Sequence, residues 1–181
     1  MKKTIFYYGI ISGIVMILLF LIPFLVNGDI AVLGNGAIFG YASIILSLSA
    51  VYLGIRKYRD RYNNKVLLFG EGFGVGSEIS GIAGIIFGVY SYLHYRTNGS
   101  EIAEQILNYY RNRIINSGAS QELIAEQLKR LNEQSWYYGN PIVIAVVTLF
   151  TVFAIGLLIS AISAFVLRRK ANETLLKSPI V

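Results

Sequence analysis

Four stretches of this chain are too long and too apolar to fold in water, and they fix its class before anything else does. Ile5 to Val26 is a run of 22 residues without a single charged side chain. At about 1.5 Å per residue such a run covers the roughly 30 Å hydrocarbon core of a bilayer as a helix. Further spans are expected from Gly36 to Ile55, from Val66 to Tyr92 and from Ile142 to Leu167. Lys2 and Lys3 ahead of the first span could open a signal peptide. The apolar run is too long for that, however, and Phe24 to Asp29 offers no small-x-small cleavage site, so a retained anchor is expected. Pro23 falls near the end of this span, where it interrupts few helical hydrogen bonds, and Asn27-Gly28-Asp29 supplies a turn.

Charge sets the expected orientation. The second span is closed by Arg56, Lys57, Arg59, Arg61 and Lys65 against one acid, Asp60, and the fourth is stopped by Arg168-Arg169-Lys170. With both termini in the cytoplasm, eleven of the sixteen Lys and Arg lie inside and five outside, the arrangement basic residues favour. The outer five are offset by Glu101, Glu104, Glu122, Glu126 and Glu133. The formal charge of +6 is thereby a topology signal, and no nucleic-acid partner is expected. The Arg56 to Lys65 cluster is read as a solvated signal of the same kind rather than a lipid-binding patch.

Several chemistries are excluded by residue type. The chain has no cysteine, hence no disulfide, thiolate nucleophile or thiolate metal site. His94 is the one histidine, too few for a repeated-His metal centre and a poor start for a hydrolase triad. Gly70-Glu71-Gly72-Phe73-Gly74-Val75-Gly76 is not a nucleotide loop, because no G-K-[ST] follows and the third glycine of G-x-G-x-x-G is missing. No catalytic residue, cofactor or metal is therefore expected, and the chain is read as no enzyme.

Between the third and fourth spans, residues 93–140 form an extracytoplasmic segment with two amphipathic pieces. Ile102, Ile106, Tyr109 and Ile114 recur at helical spacing in the first, and Leu123, Ile124, Leu128 and Leu131 in the second. Asn116 to Ser120 divides them, with Ser120 a candidate N-cap, so a helical hairpin is expected. Trp136-Tyr137-Tyr138 before Pro141, together with Tyr90, Tyr92 and Tyr95, reads as an interfacial aromatic belt. The fold class is thus all-α: an integral membrane four-helix bundle, residues 1–181, carrying an extracytoplasmic hairpin.

The third span holds the unusual chemistry. Small residues fall at Gly70, Gly74, Ser77, Gly81, Gly84, Gly88 and Ser91, in alternating steps of four and three, and the second span has Gly36, Gly40, Ser43, Ser47, Ala50 and Gly54. Two such seams are expected to face each other at a small left-handed angle. Glu71 and Glu78 are seven residues apart and share a helix face beside the seam. Glu78 falls about 18 Å along the span, near the bilayer midplane, and Glu71 about 7 Å in. A midplane carboxyl is costly and is a functional candidate by default. It is expected to be neutral and hydrogen-bonded to Ser43 or Ser47 on a neighbouring helix, or to face a water-filled cavity.

The sequence from Met1-Lys2-Lys3-Thr4-Ile5 through Tyr8-Gly9, Ser12-Gly13, Gly40-Tyr41-Ala42-Ser43, Tyr58-Arg59-Asp60, Phe69-Gly70, Asn140-Pro141 and Gly156 to Ser160 to Arg168-Arg169-Lys170 resembles the bacterial domain of unknown function 4199. The resemblance implies a four-span architecture and nothing catalytic. Glu71 and Glu78 depart from that family's usual pattern.

Together these readings predict a multi-pass protein of the inner (cytoplasmic) membrane whose first partner is the lipid bilayer. It is expected to act by helix packing, as a homo-oligomer or as an accessory subunit beside another membrane protein of an envelope complex. The alternative is a small transporter or channel using Glu78 as a proton or cation site.

Overall fold

The computed structural model describes residues 2–27, 36–62 and 65–168. The turn at Gly28-Asp29 and the basic residues beyond Arg168 lie outside them. Among the described residues the fold is all-α, with α1 (Lys2–Asn27), α2 (Gly36–Tyr62), α3 (Phe69–Ile115), α4 (Gln121–Glu133), α5 (Ser135–Tyr138) and α6 (Pro141–Leu167). Of these, α1, α2, α3 and α6 are long and apolar enough to cross a membrane. Helix is the form a spanning segment takes because it bonds every backbone N–H and C=O within itself.

Helix ends follow local chemistry. The Leu68 N–H donates to Glu71 Oε2 at 3.1 Å, closing the first turn of α3. The Ser120 hydroxyl accepts from the Leu123 N–H at 3.4 Å and starts α4, as its sequence position predicts. The Asn140 side chain accepts from both Ile142 and Val143 N–H, and Pro141 occupies the first turn of α6, where its missing N–H costs nothing. Gly118, at φ +72°, provides the left-handed turn between α3 and α4.

Two boundaries differ from the sequence reading. The second helix does not end at Ile55 but continues two turns through the basic cluster to Tyr62. The third does not end at Tyr92: α3 is one helix of 47 residues, about 70 Å long, so the first expected outer helix is the continuation of a membrane span. Asn98-Gly99-Ser100 lies inside this helix, where Gly99 is buried and its bare backbone lets the Gly139 carbonyl approach. A Cβ at Gly99 would stand 2.9 Å from that oxygen. Docking of the α5–α6 junction thus holds the glycine helical against its low propensity. The α4 helix touches this outer half of α3.

The bundle is built around α3, which contacts α1, α2 and α6, with its largest interface against α6. Among the described residues α1 and α6 do not touch, so α2 and α3 lie between them. The core is small: Met16, Leu48, Val51, Ile55, Ile79, Ala83 and Val152 are fully buried. Phe6, Leu18, Leu46, Phe150, Leu158 and Ile162 are more than half exposed on the outside. An apolar exterior around a tightly packed interior suits a bilayer, where no water penalises it.

Candidate functional site

The two faces of α3 that carry its small residues have different occupants. Toward α6, Gly72, Gly76, Ser80, Gly84 and Gly88 recur at a strict four-residue step. Opposite them run Ala164, Ser160 and Gly156 in reverse order, so the helices are antiparallel. A Cβ at Gly72 would stand 3.0 Å from Ala164 Cβ, and one at Gly76 would stand 2.7 Å from Ser160 Cβ. A Cβ at Gly156 would collide with Ser80. Farther along, Gly84 and Gly88 lie against the backbone carbonyls of Leu149 and Ala145, each 3.3 Å from where a Cβ would sit. The two facing serines are fully buried and satisfied within their own helices: Ser80 Oγ donates to Gly76 O at 2.8 Å and Ser160 Oγ to Gly156 O at 2.6 Å. Small side chains here let two backbones meet, which is how helices gain contact in lipid.

This contact corrects the expected seam. The partner of α3 is chiefly α6 rather than α2, and the step is four rather than alternating four and three. Four-residue rows on both helices are the ridges of a right-handed crossing, not of the small left-handed angle. In α2, Gly54 does meet α3, where a Cβ would clash with Ile79 Cδ1 at 2.5 Å, but no described residue lies within 4 Å of a Cβ at Gly40. The strict spacing Gly72-x3-Gly76-x3-Ser80-x3-Gly84-x3-Gly88, and Gly156-x3-Ser160-x3-Ala164 in α6, was the signal that could have found the true pair.

The other small face of α3 is open. Among the described residues nothing lies within 4 Å of where a Cβ would sit at Gly70 or Gly74, and one at Gly81 would make only an ordinary contact with Phe153 at 3.8 Å. Ser77 is half-buried and donates to Phe73 O at 2.8 Å. Beside this row Glu71 and Glu78 are both exposed. They do share a face, but their circumstances differ: Glu71 caps its own helix, while Glu78 stands about 10 Å further along, at hydrocarbon depth. The structure does not bring Ser43 or Ser47 to it. Ser43 Oγ donates to Phe39 O and Ser47 Oγ to Ser43 O, both at 2.7 Å within α2.

At the opposite end of the spans, Phe20 of α1 meets Phe87 of α3 edge to face at 5.5 Å, and Phe87, Tyr90 and His94 stack on one another up α3 at 5.7 Å spacings. His94 is therefore part of an aromatic ladder joining α1 to α3. Around α5, Tyr138 lies 6.1 Å from Tyr110. Burial, with the Tyr110 and Tyr137 phenols near it, holds the Tyr138 hydroxyl above its ordinary pKa.

The end near Tyr62 carries a polar clasp that the sequence reading treated as solvated charge. The Arg59 side chain is 15% exposed, pairs with Asp60 at 2.7 Å and donates to Leu167 O at 3.5 Å, at the carboxyl end of α6. A cation there complements the helix dipole. Thr4 and Tyr62 hydroxyls meet at 3.2 Å, and Lys57 sits over the Tyr7 and Tyr8 rings at 5.9 and 5.8 Å. Among the described residues no group of three His, Asp or Glu side chains is placed to hold a metal.

Four apolar helices packed through small residues, with an apolar outer surface, define a multi-pass helical membrane protein. The chain belongs to the family described as protein of unknown function (DUF4199), whose model matches residues 7–169. No curated protein and no solved structure matches it.

Proposed function

We propose that this protein is a non-enzymatic membrane subunit that acts by helix packing, and that the open face of α3 is where a second copy of the chain docks. The observation carrying this is the exposed Glu78 at hydrocarbon depth, on the face where no described residue comes within 4 Å of a Cβ at Gly70 or Gly74. A carboxyl facing lipid is costly. A neutral carboxyl is both donor and acceptor, so two copies related by a two-fold axis along the membrane normal can satisfy each other. The glycines beside it allow the backbones to approach. The alternative, a transporter or channel in which Glu78 of several copies lines a path, needs water between the copies, whereas the glycines on this face favour close helix approach, so packing takes precedence. Both termini and the α2–α3 junction are assigned to the cytoplasm of a cell whose inner membrane holds the chain, on the basic-residue count.

The absence of cysteine makes the test simple. Gly74→Cys should form a disulfide-linked dimer of about twice the 20.1 kDa chain mass when native membranes are oxidised. Ile45→Cys, on the exposed side of α2, should not. Equal linking of both, or of neither, would remove the homo-oligomer and leave an accessory subunit of another membrane protein to be sought.

A further inference from the structure

Beside the close contact of α3 with the start of α6, Ile85, Val89 and Tyr92 form one wall of an open groove and Ala145 and Val146 the other, with a volume of about 260 Å³. Its lining is almost wholly apolar. Gly88, buried at the floor of the groove, brings α3 close to Ala145 and Leu149 of α6. Ile85, Val89 and Val146 are 40% or more exposed, so the groove opens to the surroundings of the bundle rather than to its core. From Ile85 to Tyr92 it runs about 10 Å along the helix, the length of part of an acyl chain.

One turn beyond Tyr92, on the same side of α3, stands Arg96. It is exposed, and no ion pair among the described residues uses it. The nearest acid along the helix, Glu101, falls about 140° round from it. If α3 enters the hydrocarbon at Phe69, it leaves about 30 Å later near Val89, so Tyr92 and Arg96 stand in the headgroup layer. Gly99, one turn higher, is fixed against the Gly139 carbonyl, which keeps this part of α3 level with the start of α6.

We propose that this groove and Arg96 together form a binding site for an anionic phospholipid in the leaflet on the α4 side, with an acyl chain between α3 and α6 and the phosphate at the guanidinium. A slot at acyl depth under a cation at headgroup depth matches the two ends of such a molecule, and a guanidinium forks naturally onto phosphate oxygens. The site lies beyond the Gly70–Gly81 stretch and stands independently of dimer formation.

The test uses the full chain in nanodiscs containing phosphatidylglycerol or phosphatidylcholine labelled with a nitroxide midway along one acyl chain. The immobilised fraction is read by electron paramagnetic resonance. Wild type should immobilise the glycerol lipid in roughly fivefold preference to the choline lipid, the effect expected of one basic residue at a membrane surface. Arg96→Gln should abolish the preference and Arg96→Lys should keep most of it, while Val146→Trp, which fills the slot, should lower immobilisation of both lipids. Circular dichroism and Gly74→Cys linking should be unchanged in each variant, which separates loss of the site from loss of fold or dimer. Equal immobilisation of the two lipids by wild type overturns the proposal. So does a preference that survives Arg96→Gln, or immobilisation that survives Val146→Trp.

Discussion

Whether a glycine in this fold is expendable depends on what stands opposite it. Gly156 and Gly74 are both glycines of membrane helices, but Ser80 occupies the place a Cβ at Gly156 would take, and no described residue lies within 4 Å of a Cβ at Gly74. Gly156→Val should therefore destabilise the bundle by about 2 kcal/mol through overpacking. Gly74→Ala should be neutral or stabilise by up to about 1 kcal/mol, because alanine loses less backbone entropy. Unfolding in mild detergent, dilute enough to keep the chain monomeric, checks both; equal losses would mean that Gly74 also packs within the monomer. The same dependence on surroundings separates Glu71 from Glu78. Their shared face was legible from a spacing of seven, but the role of Glu71 was not. That role depends on α3 starting at Phe69 rather than Val66, which places the carboxylate where it can accept the Leu68 N–H. A three-residue error in a helix start is enough to turn a cap into a candidate site.

At the scale of elements, the spans themselves were legible because length and apolarity leave a membrane segment little choice but helix. Their continuation was not. Hydropathy marks where a helix leaves lipid, not where it stops being a helix, so α2 runs on through Arg56–Tyr62 and α3 through Arg96 and Glu101. The pairing of faces was also out of reach, since glycines at four-and-three and at four-residue spacing coexist on α3 and only the α6 contact chooses between them. The polar outer half of α3 has its own anchor in Gly99 against Gly139, from which a prediction follows. Gly99→Leu cannot keep that approach, and should cost about 1.4 kcal/mol or more of local stability, which raises amide exchange in α5 and the start of α6 about tenfold. Exchange around the buried Ser80 and Ser160 should not change. Unchanged exchange at α5 would mean that the junction is held by its aromatic contacts, such as Tyr110 with Tyr138, rather than by the backbone approach.

At the scale of the whole molecule, orientation is a single choice for all four spans, because packing has tied their ends together. Arg59 of α2 donates to the last carbonyl of α6, and Thr4 of α1 meets Tyr62 of α2, so the amino terminus, the α2–α3 junction and the end of α6 lie on one side. The turn at Gly118 lies on the other, beyond the long outer reach of α3. Among the described residues eight of the thirteen basic side chains are on the first side, the bias that supports the proposed cytoplasmic placement. A periplasm-active reporter fused after Gly118 should accordingly work, and one fused after Asn63 should stay silent. The reverse pattern would invert the protein in its membrane without changing the bundle, since every contact above is internal to it. It would also place the groove and Arg96 in the cytoplasmic leaflet, where anionic lipids attract basic residues. Activity at both fusion points is the outcome the bundle itself forbids, because α3 cannot cross a bilayer and have its two ends on one side.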